Sequence, residues 1–193
     1  MIQDIKLCGT ILASILAIVG YIPYIKYTVS NKTKPHVISW LLWAIIGCTA
    51  FALQLNKGGG VGSFVTLCAG LASFVIFILA IKNGEKSVTI SDIYIFLIAL
   101  LAVGLWVVAE QPLWSAILIS IATVLTFIPT FKKSWFYPGT ETVFTWRLNA
   151  FRHVLSIMVI QSYNPVTILY PLTCVAANVL LSLILLRKRR FVS

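Results

Sequence analysis

Seven apolar runs fill almost the whole chain, at residues 7–29, 37–55, 61–81, 90–109, 113–134, 143–160 and 165–186. Each is close to the roughly 20 residues that a helix needs to cross a bilayer. The intervals between them are too short for a soluble module. Charged residues make up 10% of the 193-residue chain and hydrophobic ones 60%, where a soluble domain carries about 25% charged residues. There is too little polar surface here to cover a water-facing globule. The sequence therefore predicts an all-α membrane protein with seven transmembrane helices, each satisfying its own backbone hydrogen bonds. Lys6 precedes the first run, but no small-x-small cleavage site separates that run from a polar segment. It reads as a membrane helix and not as a signal peptide.

The net charge of +10 could answer to nucleic acid, but its placement points elsewhere. Lys26, Lys32, Lys34, Lys82, Lys86, Lys132, Lys133, Arg187, Lys188, Arg189 and Arg190 fall on one side of the seven runs. Only Lys6 and Lys57 fall on the other. Such a bias is the positive-inside pattern. It predicts a multi-pass protein of the cell (inner) membrane, N-terminus outside and C-terminus cytoplasmic, with lipid and not nucleic acid around it. Trp106, Trp114 and Trp135 lie near run ends, as interfacial anchors do. The basic tail reads as the stop that fixes topology. Lys57-Gly-Gly-Gly-Val-Gly62 lacks the Gly-Lys-Ser/Thr ending of a phosphate loop and reads as a flexible outer turn. Asn31-Lys32-Thr33 matches a glycosylation sequon but falls on the cytoplasmic side. Cys8, Cys48, Cys68 and Cys174 all sit within apolar runs without a Cys-x-x-Cys pair. Inert thiols are expected, with no metal, no disulfide framework and no cofactor.

The chain also repeats itself. Residues 20–43 (GYIPYIKYTVSNKTKPHVISWLLW) return as 126–149 (TFIPTFKKSWFYPGTETVFTWRLN), 106 positions later and without a gap. Pro23 falls on Pro129, Lys26 on Lys132, Ser39 on Thr145 and Trp40 on Trp146. Hydrophobic class is kept along the following helix, where Cys68 falls on Cys174. The expected division is a three-helix unit over 1–89, a single linker helix over 90–111 and a second three-helix unit over 112–193. The odd linker restores direction, so the units are parallel repeats about an axis along the membrane normal.

A proline near the cytoplasmic end of a first helix, a short basic loop, and Ser-Trp or Thr-Trp opening the second helix resemble the PQ-loop and SWEET superfamily. The three-plus-one-plus-three layout is similar to the full-length SWEET sugar transporters and the PnuC vitamin transporters. At residue level the likeness rests on Ile22-Pro23, Ile128-Pro129, Ser39-Trp40 and Thr145-Trp146. The glutamine that follows the proline in PQ-loop proteins is Tyr24 here, and Thr130 in the second copy. The resemblance implies a solute pocket between the two units. It also implies that Asn178 stands at the third-helix asparagine of such pockets, with Ala72 as its counterpart and Ser73 adjacent.

The residues themselves nominate a site in the sixth run. At helical spacing Trp146, Asn149, Arg152 or His153, and Ser156 form one stripe. Arg152 and His153 lie about ten residues from the loop, near mid-membrane, where an ionisable group seldom faces lipid. The five carboxylates, Asp4, Glu85, Asp92, Glu110 and Glu141, are all at or near run ends. Arg152 thus has no intramembrane ion-pair partner in the sequence. Two readings stand: it holds an anionic or hydrogen-bonding solute with Asn149 and His153, or it packs on carbonyls beside a core histidine. Arg147, nearer the loop, reads as interfacial. In the first copy the same helix offers Trp43 and Gly47, with Trp43 either an aromatic wall for a flat solute or a packing residue. Pro23 and Pro129 are hinges for an inner gate or static kinks.

Three function classes follow. The first is a facilitative transporter of a small polar metabolite (sugar, vitamin or nucleoside, amino acid) by alternating access. The second is a membrane receptor or cargo-binding protein of the same fold without transport. An enzyme is the third and is not expected: the chain has no His-Glu-x-x-His, no Gly-x-Ser-x-Gly and no paired acids at depth. An oligomer is compatible with the sequence.

Overall fold

The computed structural model describes residues 2–86, 88–108 and 110–189. Seven α-helices account for nearly all of them: α1 (Ile2–Val29), α2 (Val37–Asn56), α3 (Phe64–Asn83), α4 (Ile90–Val107), α5 (Pro112–Phe136), α6 (Val143–Val159) and α7 (Pro165–Arg189). Short 3-10 turns at Gly60–Ser63 and Pro138–Thr140 precede α3 and α6. No strand occurs among the described residues. Ala109, the expected end of the fourth run, and Arg190, counted on the basic side, lie outside the described residues.

Local chemistry sets the helix starts. His36 caps α2, its side chain accepting from the Ser39 backbone N–H. Thr89 and Asp92 form a reciprocal capping box at α4. Pro112 opens α5 at a position where its missing N–H costs nothing. Asn164 Oδ1 accepts from the backbone N–H groups of Val166 (3.1 Å) and Thr167 (3.2 Å) ahead of α7.

Six of the helices, α6 excepted, are long and apolar enough to cross a membrane, and the chain reads as an integral membrane protein. Ile11, Leu12, Ile15 and Ile18 of α1 and Ile93, Leu97, Leu100 and Leu101 of α4 are exposed on the outer surface, where only hydrocarbon suits them. At 17 residues α6 spans about 26 Å, a little less than the roughly 30 Å hydrocarbon core. It carries Arg147 and Arg152 besides His153. It still runs from one end of the molecule to the other. Thr142 before it meets Thr33, and Gln161 after it donates its backbone N–H to the Gly59 carbonyl. Arg147 is exposed, as expected, while the Asn149, Arg152, His153 and Ser156 face is buried.

Packing follows a simple exchange. The third helix α3 lies against both α1 and α2, and α7 lies against both α5 and α6. Two further seams join these groups, α1 on α6 and α2 on α5, and α4 leans on α5 and α2. Water does not drive helices together in lipid, so close fit must. At the α2–α3 crossing a Cβ on Gly47 would lie 3.0 Å from the Gly70 Cα, so any larger residue would push the two backbones apart. The core divides into an apolar cluster, including Ile46 and Leu53 of α2, Ala99 of α4 and Ile119 of α5, an aromatic cluster nearer the basic loops, and a small third cluster of Ala13, Val65 and Val159.

Two sequence expectations change. The glycine-rich turn is seated rather than free: a Cβ on Gly62 would lie 2.6 Å from the Val159 carbonyl oxygen, so the turn is wedged against the end of α6. Trp106 is half-buried against the apolar cluster, because α4 packs on its neighbours there. Trp114 and Trp135 are exposed, and Lys188 Nζ stands 3.5 Å from the Trp135 ring centre.

Candidate functional site

Polar residues in a lipid-soluble bundle must find partners inside it. The stripe on α6 does so by turning inward, where six helices meet around a small cavity of about 30 Å³, room for a water molecule. Tyr21 of α1, Trp40 and Trp43 of α2, Ser73 of α3 and Phe127 of α5 line it. So do Trp146, Asn149, Arg152 and His153 of α6 and Tyr170, Cys174 and Asn178 of α7. Every solute-site residue nominated from the sequence (Trp43, Ser73, Trp146, Asn149, Arg152, His153 and Asn178) lies on this one wall. α4 contributes nothing to it.

Arg152 is 3% exposed. Its Nε donates to Asn149 Oδ1 at 2.9 Å and one terminal nitrogen donates to the Tyr21 hydroxyl at 3.1 Å. The guanidinium carbon sits 5.7 Å from the centre of the same tyrosine ring, a geometry that favours a cation. The other terminal nitrogen, Nη1, has no hydrogen-bond partner. Three more buried atoms of the lining are also unpartnered: Trp43 Nε1, His153 Nδ1 and Asn178 Oδ1. Asn178 uses its amide N–H on the Cys174 carbonyl (2.7 Å), and Ser73 donates to the Ala69 carbonyl (2.8 Å). The His153 ring meets Tyr170 edge-on at 6.0 Å. Buried polar groups in folded proteins are nearly all paired. Four orphans on one cavity are therefore a feature to be explained.

Towards the basic loops the cavity is closed by aromatic rings. Trp40 lies 5.0 Å from Trp43 and 4.9 Å from Tyr24, and Trp43 lies 4.9 Å from Phe127 and 5.8 Å from Trp146. Beyond them is a vestibule of about 320 Å³ lined by Tyr24, His36, Trp40, Asp92, Thr130, Lys133 and Glu141, among others. Trp40 belongs to both linings. The wall is anchored from the vestibule side. Glu141 accepts from Trp146 Nε1 at 3.1 Å and from Lys133 Nζ at 2.9 Å, and Lys133 also reaches the Lys34 carbonyl. Asp92, besides capping α4, stands 3.9 Å from His36 Nε2.

Pro23 and Pro129 sit in the last two turns of α1 and α5, and Pro129 lines the vestibule. In the turn before Pro23, the Thr145 hydroxyl of α6 donates to the Gly20 carbonyl at 3.1 Å, tying the two helices across their seam.

Several lining residues were not nominated from the sequence. Tyr21 and Phe127 fall on each other under the 106-residue offset, as do Tyr24 and Thr130 in the vestibule. Scanning the offset for matched positions near the two prolines would have found both pairs. Tyr170 precedes Pro171, a third in-helix proline with no counterpart in the first copy. Glu141 and Asp92 are at chain positions that look like loop and helix start, yet both are buried, at 3% and 2% exposure. Only the tertiary approach of neighbouring loops shows that. Among the described residues no cluster of His, Cys, Asp or Glu is suited to a metal ion, and no acidic side chain lines the cavity. No protein-family model, curated protein or solved structure matches the chain, so the geometry of this cavity carries the functional reading.

Proposed function

We propose that the protein is a small multi-pass transporter that moves a polar metabolite by alternating access around the central cavity. The observation that carries this reading is the set of four unpartnered, buried polar atoms on Trp43, Arg152, His153 and Asn178, four side chains that line one cavity at mid-bundle. Such groups are costly to leave unmet in a membrane interior, and a polar solute passing through would meet them. The exchange of packing partners supports a working plan of two parallel three-helix units, α1–α3 and α5–α7, with α4 as the linker. In that plan the units rock on the α1–α6 and α2–α5 seams, and α1 and α5 bend at Pro23 and Pro129. The basic loops face the cytoplasm, with the N-terminus outside. The likeness to the PQ-loop and SWEET superfamily is in keeping with this plan. Facilitated diffusion suits a cavity wall without carboxylates.

The test is uptake of labelled candidate solutes into proteoliposomes holding the purified protein. Saturable flux that is lost in an Asn149→Ala or Arg152→Ala variant is expected. Saturable binding with no flux for any solute would replace the transporter with a receptor of the same architecture.

A further inference from the structure

The cavity wall is chemically lopsided. Its one formal charge is Arg152, which no ion pair offsets among the described residues. A guanidinium is charged at any physiological pH. Placed at 3% exposure with only neutral neighbours, it is satisfied in geometry on Nε and Nη2 but not in charge. Its remaining nitrogen and the indole N–H of Trp43 are both donors without acceptors. Asn178 Oδ1 is the reverse, an acceptor without a donor. The remaining walls are flat rings: Tyr21, Trp40, Phe127, Trp146 and Tyr170.

From these features we infer that the site selects a small, flat monocarboxylate that carries one N–H or O–H donor. This rests on the reading of the cavity as a solute site and names its substrate class. In this closed form the cavity has room only for a water; once its aromatic walls part, the carboxylate accepts from Arg152 Nη1 and Trp43 Nε1, the donor meets Asn178 Oδ1, and the ring lies between those walls. A charge-assisted bond to a guanidinium is about twice as strong as a neutral one, and in this dry setting the anion also cancels a buried charge. A cation meets the opposite situation, with Arg152 repelling it and no carboxylate to receive it. A neutral polyol finds donors but leaves the charge unmet. A dianion brings a second negative charge with no second cation in the wall.

Three probes of nearly equal size separate the terms. They are pyrrolecarboxylate with the acid group beside the ring N–H, its furan counterpart furoate, which lacks the donor, and pyrrolecarboxamide, which lacks the charge. Purified full-length protein in detergent is titrated with each, with binding read by calorimetry and by the rise in unfolding temperature. The acid should bind at least about tenfold tighter than its amide and a few-fold tighter than furoate. Arg152→Met should erase the preference for acid over amide, and Asn178→Leu the preference for pyrrole over furan. Trp43→Phe, which keeps a ring in the aromatic wall and removes only the donor, should weaken both acids and leave the amide nearly unchanged. Equal affinity for acid and amide in the unaltered protein, or no binding of either acid, overturns the inference without need of any variant. Survival of the acid preference in both Arg152→Met and Trp43→Phe overturns it too. Uptake separates the two conclusions. Acid binding without flux keeps the ligand class and removes the transporter, whereas flux of neutral solutes without acid preference keeps the transporter and removes the ligand class.

Discussion

The second helices of the two copies begin alike and are used in opposite ways. Trp40 and Trp146 match, and both are buried in the same aromatic wall. From there the helices part. Where α2 has Trp43, Ile46 and Gly47, α6 has Asn149, Arg152 and His153. Ile46 sits in the apolar cluster with Ala99 of α4 and Ile119 of α5, and Gly47 presses on Gly70 of α3. Arg152 and His153 face the cavity. Helix α4 accounts for part of the contrast. It packs on α2 and α5 with apolar surface and forms no comparable seam with α6, so α2 must offer a dry face there. The matched tryptophans thus shape one wall, while beyond them α2 turns mainly to packing and α6 turns its polar residues to the cavity.

Exchanging the two roles should produce the largest effect. Ile46→Arg places a charge in a cluster with no polar partner, a cost above about 4 kcal/mol. Folded protein should be lost, as read by size-exclusion profile after extraction. A normal profile would mean that the α2 face is not the dry one.

Next comes the anchor that one copy has and the other lacks. Glu141 corresponds to Pro35, so only the second tryptophan of the wall is held by a carboxylate. Glu141→Ala leaves Trp146 Nε1 without its acceptor and Lys133 with only the Lys34 carbonyl. Because the Lys133 side chain is 15% exposed and can turn towards water, about 2–3 kcal/mol is expected, below the 3–5 kcal/mol of a fully buried pair. Denaturant unfolding in detergent measures it, and an effect no larger than that of Pro35→Ala would remove the anchor from the argument.

The seams differ by less. Thr145 bonds the Gly20 carbonyl across α1–α6, whereas its counterpart Ser39 bonds His36 in its own cap. Thr145→Val should cost about 1 kcal/mol and loosen that seam, seen as faster hydrogen exchange near residues 20–24. Ser39→Ala should leave the α2–α5 seam as protected as before. The smallest expected change in stability belongs to the most polar residue. Arg152→Met removes a buried charge but also strips Asn149 Oδ1 of its donor; the two effects oppose each other, so unfolding free energy should move by about 1 kcal/mol or less. A large loss would make Arg152 a structural pin.

Much of this was legible because lipid is a strict solvent. It demands apolar runs of fixed length, and these gave all seven helices within a few residues. The same demand made Asn149, Arg152 and His153 conspicuous, since a polar stripe in such a run has one place to go. The wall opposite them was less visible. Tyr21, Phe127 and Tyr170 are ordinary in an apolar run, and only helix packing brings them to the cavity. Glu141 and Asp92 do lie near helix ends, as their position along the chain says, but their burial was hidden because it depends on loops from three separate connections closing over them. Gly47 was visible as a residue, but the crossing partner that makes it necessary, Gly70, was not.

Trp40 remains, the one ring that fronts both the vestibule and the central cavity. A partition one ring thick has no independent faces. A turn of its side chain therefore alters the linings of both chambers at once. Under the proposed alternating access, the two chambers need no signal passed between distant gates at this end of the protein. They are two rooms that share a wall.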